Sequence, residues 1–94
     1  LIRIEKSQSS GNWTVIFRTE DTSILLSSDK TINLALIEAA KRLSIVAIVT
    51  KKESKFEAIC GVLKIRAVGE TPTLARDRLK MAVKRELEHL PLMS

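Results

Sequence analysis

The chain predicts an α+β fold, a two-layer sandwich in which two helices cover one face of an antiparallel sheet. Three observations lead there. Short alternating or β-branched runs recur six times between turn-forming stretches. Two longer stretches carry apolar residues at spacings of three and four, as a half-buried helix does. The runs follow one another in the order βββα-βββα. Each half must bury one helix stripe and one sheet face, and the economical packing puts both helices on the same side of the sheet. Ninety-four residues are too few for two independent cores, so 1–94 is read as a single domain.

Residues 1–6, LIRIEK, place Ile2 and Ile4 on one face of a first strand. SQSSGN at 7–12 is turn chemistry. WTVIFR at 13–18 puts Trp13, Val15 and Phe17 on one face. TEDT at 19–22 turns again, and SILLS at 23–27 is a short third strand. Ser28 or Asp29 can cap the first helix, which TINLALIEAAKRL continues. Its stripe is Ile32, Leu36, Ala39, Ala40 and Leu43, with Lys41 and Arg42 in the last turn, where positive charge suits the helix dipole.

SIVAIVT at 44–50 is apolar on both faces and reads as an interior strand. KKESK at 51–55 is a charged hairpin tip, and FEAIC at 56–60 returns. Gly61 permits a bend or bulge. VLKIRAV at 62–68 alternates Leu63, Ile65 and Ala67 against Lys64 and Arg66. Gly69 frees the turn into the second helix. Thr71 is its N-cap and Pro72 its first residue, where a missing N–H costs nothing. Ala75, Leu79, Ala82, Val83 and Leu90 form its stripe, Glu86 conflicts with that stripe, and Pro91 ends it. The halves 1–43 and 44–90 resemble each other. TINLALIEAAKRL lies over TPTLARDRLKMAV at an offset of 40, and Trp13 lies over Phe56 at an offset of 43. An internal repeat and shared architecture both account for this.

Composition narrows the function classes. No stretch approaches the roughly 20 apolar residues a membrane-crossing helix needs, so no membrane is expected. The chain opens at Leu1, as a trimmed or processed chain would, and a domain cut from a larger protein is one reading. Cys60 is the only cysteine, which favours a reducing, intracellular setting, cytoplasmic or nuclear. Its apolar neighbours argue for a buried, structural thiol. His89 is the only histidine. With one Cys and one His far apart, no metal site is expected, and no catalytic triad or Gly-rich phosphate loop is present. The chain is therefore read as non-enzymatic, without cofactor. Net charge is +5, which suits an anionic partner and, equally, solubility.

FEAICGVLKIRAVGETPTLARDRLKMAVKREL, residues 56–87, resembles the HicB-like antitoxin family. Gly69, Glu70, Thr71, Pro72 and Ala75 match that family's join between its last strand and its helix. The resemblance implies an α+β interaction module that binds a protein partner, such as a toxin or subunit, or a second copy as a homodimer. In its α-β-β-β-α order, 31–90 also resembles a double-stranded-RNA-binding domain. That resemblance implies RNA contacts at the first helix (Asn33, Glu38), the hairpin (Lys51, Lys52, Lys55) and the start of the last helix (Arg76, Arg78, Lys80).

The residues themselves point to one basic constellation. Lys51, Lys52 and Lys55 crowd a hairpin, while Arg76, Lys80 and Lys84, at i, i+4 and i+8, form one ridge of a helix that also carries Arg78. If hairpin and helix start share a side, they can straddle phosphates, contacts that position a duplex without reading its sequence. The plain alternative is a solvated polar face with local ion pairs, such as Lys84 with Glu88. The expected function is nucleic-acid binding, of duplex and by shape, through these seven side chains. The alternative is the HicB-like protein-interaction module, in which exposed strand edges matter more than charge.

Overall fold

The computed structural model describes residues 2–93. The elements are β1 (Ile2–Lys6), β2 (Trp13–Arg18), β3 (Ser23–Asp29), α1 (Ile32–Ile45), β4 (Ile48–Lys52), β5 (Lys55–Cys60), β6 (Ile65–Gly69), α2 (Pro72–Glu88) and β7 (Leu92–Met93). The fold is α+β in the order βββα-βββα, followed by β7. The expected single sheet is instead two. One has the order β3-β2-β1-β7 and the other β4-β5-β6. Within each βββ unit all pairing is antiparallel, while β7 adds to β1 in parallel. No pattern announces β7, because two residues are too short for any periodicity to register.

Each helix lies on its own unit. α1 packs on β3 and β2, α2 packs on β6 and β5, and the two helices pack on each other. That helix–helix contact merges the halves into one cluster of buried side chains, in which Ile4, Val15, Leu79, Val83 and Leu87 are the largest that are fully buried. Cys60 is buried within it.

Both helices begin alike. Thr31 and Thr71 are extended N-caps whose hydroxyls accept from the backbone N–H of Leu34 and Leu74, at 3.2 and 3.1 Å. The Ser28 or Asp29 cap is thus displaced, because β3 runs on to Asp29 and leaves Thr31 as the first residue able to close the turn. A bulge drives that extension. The β2–β3 register shifts between Val15 and Ile16, so Leu26 is an extra residue and both it and Ser27 are buried. Ser27 donates from Oγ to the Ala35 carbonyl at 2.6 Å, which satisfies its buried hydroxyl and ties β3 to α1.

The apolar run at 44–50 divides rather than forming an interior strand. Ser44 and Ile45 complete α1, Val46 caps it, and β4 begins at Ile48 on the edge of its sheet. Ile45, Val46 and Ile48 are accordingly 62%, 74% and 67% exposed. An apolar run alone does not distinguish a buried strand from a helix end followed by an edge.

On α2 the stripe is Ala75, Leu79, Val83 and Leu87. Leu87 takes the buried place, Glu86 is exposed, and His89 caps the helix. The conflict over Glu86 dissolves because the buried row runs at i+4 from Ala75 to Leu87 and leaves Glu86 outside it.

Gly61 opens a turn over 61–64, where a bend or bulge is expected; within it Lys64 takes the left-handed conformation, at φ 57, and β6 starts only at Ile65. Gly69 serves close approach rather than turn freedom. A Cβ there would lie 2.6 Å from the Ala75 backbone N and 2.9 Å from the Leu74 carbonyl carbon. Backbone cannot yield as a side-chain tip can. Gly69→Ala is therefore expected to destabilise by about 1–3 kcal/mol, read as a lowered urea midpoint at unchanged slope. Lys64→Gly should act oppositely. Relief of roughly 1–2 kcal/mol of left-handed strain outweighs glycine's roughly 0.5–1 kcal/mol entropic cost, so the midpoint should rise.

Candidate nucleic-acid interface

The register decides where the basic residues stand. Lys51 pairs with Phe56, and Phe56 pairs with Gly69. Gly69 precedes the N-cap Thr71 by two residues. The β4–β5 hairpin and the start of α2 therefore share one end of the second unit, as the duplex-straddling idea requires.

The lysines do not share a face, however. Residues opposite one another in a ladder point the same way, and neighbours along a strand point oppositely. Lys51 stands level with Phe56, on the face where Ala58 and Cys60 enter the core beneath α2. Lys52 and Lys55 pair with each other on the opposite face. The turn residues proper are Glu53 and Ser54, so the three lysines flank the tip rather than form it.

That opposite face centres on Glu57, which is only 7% exposed. Lys52 Nζ lies 3.0 Å from its Oε1 and Arg66 Nη1 lies 3.7 Å from its Oε2. Oε1 accepts no hydrogen bond, so the Lys52 contact is an ion pair by distance only. The carboxylate draws two of the sheet's cations toward itself. Arg66 belongs to this group, and its alternation with Leu63 and Ile65 was the one signal for it.

On α2, Arg76 and Arg78 leave opposite sides of the helix. Arg76 Nη1 donates to the carbonyls of Ser44 and Ile45, at 2.7 and 3.0 Å. These belong to the last turn of α1, where carbonyls lack helical partners. Arg78 Nη1 donates to the Val68 carbonyl at the end of β6, at 2.8 Å. Lys84 Nζ lies 3.4 Å from Glu88 Oε1, one helical turn on. Of the seven expected contacts, Lys52, Arg76, Arg78 and Lys84 thus already serve the fold, through carbonyls or carboxylates. Lys51 lies over the Phe56 ring, 6.0 Å from its centroid.

What the fold does assemble is a groove between the last turn of α1 and the first two turns of α2. Lys41, Ser44, Ile45, Thr73, Arg76, Asp77 and Lys80 line a volume of about 240 Å³. Three cations face one carboxylate there. Among the described residues, neither Lys41 nor Lys80 holds an ion pair, and Arg76 is tied to α1 through Nη1 alone. Lys41, read from sequence only as a dipole-favoured residue, is the member that pattern reasoning missed. Its neighbour across the groove is 39 residues away in the chain, beyond the reach of any local signal.

Among the described residues, no three His, Cys, Asp or Glu side chains gather as a metal site would need, and no helix is long and apolar enough to cross a membrane. Compared with known proteins, the chain matches no family model, no curated protein and no solved structure.

Arg76→Ala should cost about 1–2 kcal/mol of stability, since charge-assisted bonds to α1 are lost and one is solvent-exposed. Thermal unfolding followed by circular dichroism checks this, and Lys80→Ala in the same groove should leave the midpoint nearly unchanged.

Proposed function

We propose that this is a non-enzymatic domain that binds duplex nucleic acid through its phosphates. The observation that carries the reading is the α1–α2 groove, where Lys41, Arg76 and Lys80 outnumber Asp77. Lys51 stands at the same end of the unit, with β5 between it and the end of β6 that leads into α2. Lys80 continues the positive side along the helix, while Lys84, next on that ridge, is paired with Glu88. Contacts of this kind hold phosphate charge and position the duplex without reading bases. Lys52, Lys55 and Arg66 lie on the far face, with Glu57 among them, and play a smaller part. Arg78, held to Val68, orders the start of α2.

A phosphate-led binder loses affinity with salt, at a log–log slope of about −0.9 per duplex phosphate contacted. Fluorescence anisotropy of a labelled duplex across a salt series should give a slope of about −3 to −4, one for each of Lys41, Lys51, Arg76 and Lys80. Replacing Lys41, Lys51 and Lys80 together with Glu should abolish binding at low salt while circular dichroism stays unchanged. Absence of any shift with the unaltered domain at low salt would end this reading.

A second reading has its own observation. β3 is an edge strand whose Ile24 and Leu25 are 51% and 53% exposed. An open apolar edge suits a protein partner or a second copy, as the HicB-like resemblance implies. Salt-resistant dimer elution in size exclusion, with no absorbance excess at 260 nm, would favour it over nucleic acid.

A further inference from the structure

The two βββα units place the same constellation at corresponding registers. In the second unit Lys51 pairs with Phe56, Phe56 pairs with Gly69, and Thr71 then caps α2. In the first unit Lys6 pairs with Trp13, Trp13 pairs with Asp29, and Thr31 then caps α1. In both, the lysine ammonium stands 6.0 Å from the centroid of the paired aromatic ring. An aromatic face holds a cation electrostatically without neutralising its charge. Such a lysine is restrained yet still able to meet a phosphate, unlike Lys52 beside Glu57.

We infer that Lys6 on Trp13 is a second phosphate contact, equivalent to Lys51 on Phe56, so that duplex nucleic acid is held at two points, one from each unit. This rests on the nucleic-acid reading above. The chemistry at the two points is the same, a ring-held lysine at the strand end beside a threonine-capped helix start. The surroundings differ in one respect. Asp29 stands where Gly69 does, and its Oδ1 accepts the Lys30 backbone N–H at 2.7 Å. Lys30 adds an exposed cation beside that carboxylate. The first corner is therefore balanced in charge rather than acidic. Because the end of α1 meets the start of α2, the two corners stand at opposite ends of the helix pair and would meet separate stretches of the duplex.

The test is the salt slope of duplex binding for Lys6→Gln, Lys51→Gln and the double variant. Each single change should lower the slope by about 0.9 and the double change by about twice that, whereas Lys6→Arg should retain the unaltered slope. The slope counts phosphate contacts, so a change that merely loosens the fold does not move it in this stepwise way. If Lys51→Gln lowers the slope and Lys6→Gln does not, the second contact is overturned and the groove-based reading stands. If the unaltered domain binds no duplex, both fall together.

Discussion

Everything in this fold depends on the contact between its two helices. Each sheet covers only one side of its own helix, so each βββα unit alone leaves a helix flank uncovered. Packing α1 on α2 closes both flanks at once. Small side chains sit on the buried faces of both helices: Ala35, Ala39, Ala40 and Ala75 are all essentially without exposure. Arg76 then binds the last turn of α1 by two carbonyls. It adds a donor to carbonyls at that helix end and sets positive charge at the negative end of a helix dipole.

That arrangement shapes the surface as much as the core. Arginines that read as available on a helical wheel are the ones long enough to reach across to carbonyls, and the fold uses them for that purpose. Arg76 and Arg78 diverge because residues two apart on a helix face nearly opposite ways. Lysines, compact charges on flexible stems, remain at the rim. On β4 they have a second physical effect. Lys51 and Lys52 occupy an edge strand, where charge discourages pairing with another chain. The contrast with β3 is direct: its stretch 23–28, exposed at 23–25 and 28, carries no charge, and a bulge is its main irregularity.

The likeness between the halves is clearer in register than in sequence. Trp13 and Phe56 lie 43 residues apart and the capping threonines 40. The first unit spends more residues between its aromatic and its cap, and the extra Leu26 of the bulge is one of them. Such length differences break the constant offset that a sequence comparison seeks. Hydrogen-bond pairing is indifferent to them, because it records which residues face each other rather than how many lie between.

Local chemistry was enough to place most of the pieces, β7 and the division of 44–50 excepted. Alternation at 13–18, the stripe of Ala75, Leu79 and Val83, and the Thr71–Pro72 start were all legible, because strand period, helix period and caps are set by residues within a few positions of one another. So was the burial of Cys60. Long-range geometry decided the rest. Whether 44–50 is interior or edge, whether six strands form one sheet or two, and which face Lys51 and Lys52 occupy all depend on pairing partners far along the chain. The groove is the sharpest case. Lys41 and Lys80 acquire a shared meaning only when α1 and α2 pack, and Arg76 loses part of its availability in the same step. The amino-acid order determined the elements and their charge. Tertiary packing alone selected which charges stay open, since a cation's freedom depends on the carbonyls and carboxylates that folding brings within its reach.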